Sequence, residues 1–176
     1  MPLRRRVDRG GAAAVESPGV CTLTIFPAVD GFHLAMNRDE LRSRPAALPP
    51  EVRSGGGRSW IMPVDPVGRG TWIAASDAGV AMALLNLHDV PWSGEAERAA
   101  RVSRGIIIPH LIEAADVEKA VRLARGIKPA DYQPFRLVAT DSDRFAVFES
   151  DGNALKISIE RRGSKPLLFT SSGLGD

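Results

Sequence analysis

Apolar and polar residues alternate in two groups of segments, one before residue 90 and one after residue 130. Alternation with a period of two, in segments rich in β-branched residues, is typical of strands with one buried face. Turn residues such as Asp, Gly and Asn separate the segments and favour antiparallel hairpins. The pattern predicts four strands in each group: residues 21–26, 32–36, 71–75 and 80–85, and residues 135–140, 144–148, 154–159 and 167–170.

Between the two groups, helical spacing replaces alternation. Residues 95–104 are rich in Ala, Glu and Arg, and residues 106–115 follow with a kink at Pro109. Asp116 is a candidate N-cap of a further helix that ends at Gly126. Strand groups on both sides of a helical block predict an α+β domain in which helices cover a mostly antiparallel sheet.

Residues 38–57 fit neither period. They are charged and contain Pro45, Pro49 and Pro50, followed by three consecutive glycines at 55–57. This composition predicts a long loop rather than a regular element. The glycines lack the context of a phosphate-binding motif and indicate loop flexibility.

Composition narrows the class of protein. A chain of 176 residues, with 44% hydrophobic and 25% charged residues, is ordinary for one soluble domain with a single core. The longest uncharged apolar run, residues 80–87, is far shorter than the roughly 20 residues that a membrane span needs. The single cysteine, Cys21, excludes an internal disulfide and a multi-cysteine zinc site, and its scarcity predicts a reducing, cytoplasmic compartment.

The histidines and the charge give little sign of a metal or of nucleic acid. His33, His88 and His110 are scattered without metal-ligand spacing, so we expect each to be structural or exposed and predict no metal and no cofactor. Four arginines against two acidic residues in the segment 1–20 account for the whole net charge of +2. The remaining residues are balanced, which argues against nucleic-acid binding.

Residues 1–20 have no apolar period and no apolar core of a secretory signal. Three interpretations are open. The segment is a disordered leader, a transit peptide whose basic character Asp8 and Glu16 interrupt, or a mis-assigned start, with translation beginning at Val20 through a valine-type codon read as methionine. Removal of that methionine would leave Cys21 as the first residue of a domain that spans residues 21–176.

Candidate chemistry lies at the first predicted hairpin. Cys21 begins the first strand, and Asn37, Arg38, Asp39 and Glu40 end the second, so pairing of the two strands would bring the polar residues near the sulfur. A lone cysteine is more often a small buried hydrophobe, and a polar strand end is more often solvated. The residues by themselves leave the catalytic and the structural interpretation open.

Several motifs together resemble the NRDE family, also called transport and Golgi organisation protein 2-like. The specific motifs are Cys-Thr-Leu-Thr-Ile-Phe at 21–26, Asn-Arg-Asp-Glu at 37–40, Arg-Pro at 44–45, Gly-Thr-Trp at 70–72 and Leu-Leu-Asn at 84–86. Looser agreement is found in Ser-Arg-Gly at 103–105 and in the segments 135–140 and 170–176. That family is similar to hydrolases with an amino-terminal cysteine nucleophile, such as penicillin V acylase and bile salt hydrolase.

The resemblance implies a four-layer αββα sandwich of mostly antiparallel sheets, the fold of N-terminal-nucleophile hydrolases. Relatives continue with further strands beyond the position of Asp176, so we expect the sandwich to be incomplete at the carboxyl terminus. An uncovered strand edge recruits other chains. We therefore predict self-association, or completion by a separate carboxyl-terminal segment.

The resemblance also implies catalytic roles. Cys21 would be the nucleophile and, through a free α-amine, its own base, since the pKa of an α-amine is about 7.7–8.0 and that of a thiol about 8.5. Asp39 would position the amine, Arg38 would favour the thiolate, and Asn86 would line the oxyanion hole. The acylases carry their arginine at the position that Met36 occupies here.

The implied function is hydrolysis of a non-peptide carbon–nitrogen bond in a small acyl-amide substrate. Asn37, Ser171 and Trp72 are the predicted substrate-binding residues, and either Ser171 or Ser172 stands where the acylases have an asparagine. The alternative is a non-catalytic binding or trafficking protein that keeps the fold and handles haem or lipid. A Cys21 blocked by residues 1–20, or a thiol that resists alkylation near neutral pH, would favour that alternative.

Overall fold

The computed structural model describes residues 19–87 and 102–172, and the strands in these residues form two antiparallel sheets. The strands are β1 (Thr22–Ala28), β2 (Gly31–Asn37), β3 (Leu48–Gly55), β4 (Arg58–Val64), β5 (Ile73–Ser76), β6 (Ala81–Asn86), β7 (Phe135–Thr140), β8 (Arg144–Ser150), β9 (Leu155–Arg161) and β10 (Leu167–Thr170). The smaller sheet has the order β10-β1-β2, and the larger has the order β3-β4-β5-β6-β7-β8-β9.

Two short helices, α1 (Ile107–Leu111) and α2 (Val117–Ala124), pack on the larger sheet. A 3-10 turn over Arg104–Ile106 precedes α1, and another over Pro129–Asp131 precedes β7. Asp116 caps α2, because its side chain accepts a hydrogen bond of 2.6 Å from the Lys119 N–H, as predicted.

Strand β6 lies in the middle of the larger sheet and is buried on both faces. Met82 and Leu84 belong to the core between this sheet and the helices, whereas Ala83 and Leu85 belong to the core between the two sheets. The second core also contains Cys21. Because successive residues of a strand point to opposite faces, one strand joins both cores.

The layers therefore run from helices to the seven-stranded sheet to the three-stranded sheet. The α+β class and the mostly antiparallel sandwich predicted above are confirmed. Within residues 19–87 and 102–172, no helix packs on the outer face of the smaller sheet, where Phe26 of β1 and Leu168 of β10 are exposed. The described residues thus build three of the four layers of an αββα sandwich.

The predicted loop over residues 38–57 is wrong for its second half, which forms strand β3. This strand is an edge of the larger sheet and all of its residues before Gly55 are exposed, so no alternation marks it in the sequence. Pro49 and Pro50 are tolerated because an edge strand need not donate every hydrogen bond, and the register shifts between Leu48 and Glu51.

The neighbouring strand β4 was missed although Trp60, Met62 and Val64 alternate and are buried. Gly56 and Gly57 join β3 to β4 with φ values of 55° and 78°. They supply the left-handed conformation of a tight hairpin turn rather than loop flexibility. Six strands, and not four, therefore precede the helices among the described residues.

The helical block is also shorter than predicted. Helix α1 ends at Leu111 rather than at residue 115, because the chain must leave the helical conformation before Asp116, which is extended with φ −158° and caps α2. Of the predicted helix over 95–104, residues 95–101 lie outside the described residues, and Arg104 begins a 3-10 turn. Residues 1–18 of the predicted leader lie outside them as well.

Candidate active site

Several chain segments meet at the start of strand β1 around a cavity of about 250 Å³. They are the beginning of β1, the residues after β2, the residues before β5, the end of β6 and the turn before α1. Residues that line the cavity include Cys21, Arg38, Asp39, Trp72, Asn86 and Arg104. All four residues that were predicted as catalytic therefore line the same cavity.

The register of β1 and β2 brings the polar segment to the cysteine. Thr22 pairs with Asn37, so the residues after Asn37 run alongside Cys21. The Cys21 thiol donates a hydrogen bond of 3.5 Å to the backbone carbonyl of Asp39. Because β2 ends at Asn37, Arg38 and Asp39 are not forced onto opposite faces of a strand, and both line the cavity.

Cys21 is 7% exposed and is held by Ser171. The Cys21 N–H donates to Ser171 Oγ at 3.0 Å, and the Ser171 N–H donates to the Cys21 carbonyl at 3.0 Å. Burial raises the pKa of the Cys21 thiol, and the charges of Asp39 and Glu40 act in the same direction. The hydrogen bond to the Asp39 carbonyl and the charge of Arg38 oppose this rise but do not cancel it. With Val20 attached, the thiol is therefore held protonated at neutral pH.

The Asp39 side chain lies against the backbone just before Cys21. A Cβ added to Gly19 would come within 2.5 Å of the Asp39 carboxyl carbon and within 2.7 Å of one carboxylate oxygen. A residue with a side chain would not fit at position 19 unless Asp39 moved. The carboxylate thus faces the stretch of chain that a start at Cys21 would remove.

Two arginines and two carboxylates on the cavity wall pair with each other. Arg38 Nη2 lies 2.9 Å from Glu40 and 4.0 Å from Asp65, and Arg44 Nε lies 3.5 Å from Glu40. Arg44 also donates to Asp65. Burial by itself would raise the pKa of the Asp65 carboxyl, but hydrogen bonds from Arg44 and from backbone N–H groups outweigh it and lower that pKa. These four charges are mutually compensated.

Trp72 and Asn86 complete the predicted part of the wall. The Arg38 guanidinium lies over the Trp72 ring, 4.4 Å from its centroid, which fixes the arginine further. Asn86 is the last residue of β6, and its side-chain amide makes no hydrogen bond with any residue that the structure describes. Asn37 is exposed and does not line the cavity, and Ser171 binds the Cys21 backbone instead of lining it.

Arg104 also lines the cavity, although no role was predicted for it. Its Nη1 donates a hydrogen bond of 2.8 Å to the Pro134 carbonyl, and it forms no ion pair with any residue in the described part of the chain. Burial lowers the pKa of Arg104 to about 10, and the negative charges of Glu40 and of the Cys21 thiolate, when it is ionised, oppose this fall. The Ser-Arg-Gly motif was the only sequence signal for this residue.

Two glycines fix the position of Arg104. The Thr71 N–H donates to the Gly105 carbonyl at 2.9 Å, and the backbones of Gly70 and Gly105 touch so closely that a Cβ on Gly70 would overlap Gly105. Only glycine at position 70 allows this approach. The contact holds the turn that carries Arg104 against the segment that carries Trp72.

Residues 19–87 and 102–172 contain no group of three or more His, Cys, Asp or Glu residues suited to a metal ion. His33 and His110 are exposed. His88 lies outside the described residues. None of the described helices is both long enough and apolar enough to cross a bilayer.

The family model of Transport and Golgi organisation 2 matches residues 30–172, which include Arg38, Asp39, Asn86 and Arg104. The chain belongs to this family. The match confirms the resemblance drawn from the motifs. No curated protein matches this member of the Transport and Golgi organisation 2 family in sequence.

Two solved structures are similar to this family member in fold. One is the Caenorhabditis elegans N-acylethanolamine-hydrolyzing acid amidase ortholog, with a TM-score of 0.58 and 12% identity over 85% of this chain and 69% of that chain. The other is penicillin V acylase from Agrobacterium tumefaciens, with a TM-score of 0.47 and 17% identity over 80% of this chain. The chain covers 49% of that acylase, about half of its length. The first likeness shows the fold of N-terminal-nucleophile hydrolases.

Proposed function

We propose that this protein is a cysteine amidohydrolase in which Cys21, as the first residue, is the nucleophile and a small acyl amide is the substrate. One observation carries the proposal: the only cysteine of the chain shares a cavity with Arg38 and Asp39, which follow β2, and with Asn86, which ends β6. The fold shared with the amidase ortholog supports it, since that protein is named for the hydrolysis of N-acylethanolamines.

The reaction needs a free α-amine on Cys21. The amine, with a pKa of about 7.7–8.0, takes the thiol proton, and the thiolate attacks the amide carbonyl carbon to form a carbon–sulfur bond. The ammonium then protonates the leaving nitrogen as the carbon–nitrogen bond breaks. Water attacks the resulting thioester, releases the acid and restores the thiol.

The neighbouring residues have complementary roles in this scheme. The side-chain amide of Asn86, which has no partner among the described residues, donates to the oxyanion. Asp39 orients the α-ammonium, and Arg38, held by Glu40 and Trp72, stabilises the thiolate.

A chain that keeps Val20 cannot use this mechanism. Its Cys21 nitrogen is a peptide N–H that donates to Ser171, and its lone pair is delocalised into the peptide carbonyl and does not accept a proton. Together with the raised pKa of the thiol, this favours the alternative for any form that retains residues before Cys21: a binding protein with the same fold.

The test is hydrolysis of a panel of N-acyl amides, including N-decanoylethanolamine, with release of decanoic acid measured by mass spectrometry. We expect release by the natively expressed protein and none by Cys21→Ala. Cys21→Ala must melt at the wild-type temperature, so that loss of activity is not loss of fold. If protein that begins at Cys21 releases no acid from any amide, the hydrolase proposal fails and the binding protein is favoured.

A further inference from the structure

We propose that Arg104 binds a carboxylate of the ligand, so that this cavity selects acyl amides that carry one negative charge. As a statement about the substrate it rests on the proposed function, whereas as a statement about binding it does not. The observations behind it are the position, the burial and the pairing of charges on the cavity wall.

The charges on the wall leave Arg104 unmatched. Arg38 and Arg44 are compensated by Glu40 and Asp65. Asp39 faces the chain just before Cys21 and forms no ion pair with Arg104. Arg104 has no carboxylate partner among the described residues. Arg104 is therefore the one arginine of the cavity wall that no carboxylate of the described residues pairs with.

Arg136, which is more deeply buried than Arg104, has a different environment. Arg136 is 7% exposed, and its Nε and Nη2 donate to Glu149 at 2.8 and 2.7 Å. A structural arginine in this fold is thus paired within the chain. Among the residues that the structure describes, Arg104 has only the carbonyl of Pro134, a neutral acceptor, so no carboxylate in this part of the chain compensates its charge.

The guanidinium is also well suited to a carboxylate. Its position is fixed at Nη1 by Pro134 and through the backbone by the contact between Gly70 and Gly105. A planar guanidinium offers parallel N–H donors that match the two oxygens of a carboxylate. Burial lowers the pKa of Arg104 to about 10, and a carboxylate in the cavity would recover part of that lost stabilisation.

The first test uses Cys21, the only cysteine, as a reporter in the full wild-type chain. The rate of alkylation by iodoacetamide is followed by intact mass near pH 8, with N-decanoylglycine, with neutral N-decanoylglycinamide, or with the mono-butylamide of suberic acid. At least one of the two carboxylates should protect Cys21 at about tenfold lower concentration than the neutral amide does. Protection by N-decanoylglycine would place the ligand carboxylate on the amine side of the amide bond. Protection by the mono-butylamide of suberic acid would place it on the acyl side. Equal protection by charged and neutral amides, or none by either carboxylate, overturns the proposal.

Variants then assign the preference to Arg104. Arg104→Gln should abolish the tenfold preference, Arg104→Lys should keep part of it, and the exposed Arg122→Gln should keep all of it. Arg104→Gln loses the hydrogen bond to Pro134, and if it therefore melts below the wild-type temperature, Arg104→Lys is the deciding variant. A full tenfold preference in Arg104→Lys would contradict the proposal, because a lysine lacks the planar guanidinium that is proposed to bind the carboxylate. A preference that survives Arg104→Gln in a folded protein overturns the proposal.

The outcomes separate this inference from the proposed function. Protection from alkylation measures ligand binding and not turnover. A preference for carboxylate ligands in a protein that hydrolyses none of the amides would therefore refute only the proposed hydrolase activity. Hydrolysis of neutral and charged amides at equal rates, without preference in protection, would refute only the role of Arg104.

Discussion

Asn86 ends strand β6 on the cavity wall, and its amide has no hydrogen-bond partner among the described residues. If this amide donates to the oxyanion, Asn86→Ala should lower kcat by about 10²–10³ with little change in KM, because the interaction forms only in the transition state. Asn153→Ala, at an exposed turn, is the matched control and should leave kcat unchanged. Equal kcat values for both variants would remove Asn86 from the mechanism.

Cys21 gives the prediction for pH. Burial raises the pKa of its thiol, so in the full chain the thiolate forms at higher pH than in an unfolded chain. The pH profile of Cys21 alkylation should have a higher midpoint in the native protein than in urea, and Arg38→Gln should move it higher still, since the opposing charge is lost. A native midpoint at or below that of the unfolded chain would contradict this electrostatic description.

The elements that carry the site depend on one close backbone contact. Gly70→Ala would push its Cβ into Gly105 and force the turn with Arg104 away from the segment with Trp72. We expect a loss of unfolding free energy of about 2 kcal/mol or more in urea denaturation. Gly163→Ala, where nothing lies within 4 Å of the added Cβ, should change stability by no more than about 0.5 kcal/mol. Similar values for the two variants would show that the contact is not a constraint.

The strands differ in how well the sequence predicts them, for physical reasons. Strands β7 and β10 were predicted to the residue, because their runs of apolar and β-branched residues are bounded by turn residues. Strand β3 was missed because it is an exposed edge, and exposure on both faces removes the alternation. The alternation of apolar and polar residues in a sequence reflects which side chains are buried, and few side chains of an edge strand are buried.

The same reasoning applies to the site. The polar residues after β2 were placed near Cys21 because hairpin pairing is a local rule. Arg104 received no role because its place depends on a contact between two glycines that are far apart in sequence. The catalytic roles of Cys21, Asp39, Arg38 and Asn86 remain predictions.

At the scale of the molecule, the smaller sheet is incompletely covered. Among the described residues β10 and β2 each have one neighbouring strand, and Phe26 and Leu168 are exposed on its outer face. We predict that the protein self-associates through this sheet, so its mass by light scattering should rise with concentration. Leu168→Lys should weaken the association, whereas Leu123→Lys, an exposed change on α2, should not. A monomer at all concentrations would contradict the prediction.

The central claim is that Cys21 acts as an amino-terminal nucleophile. The intact mass of the active, natively expressed protein tests it most directly. We predict a mass that corresponds to a chain beginning at Cys21, with its α-amine free. Retention of residues before Cys21 on all of the active material would contradict the account, because the nitrogen of Cys21 would then be a peptide N–H that cannot accept a proton.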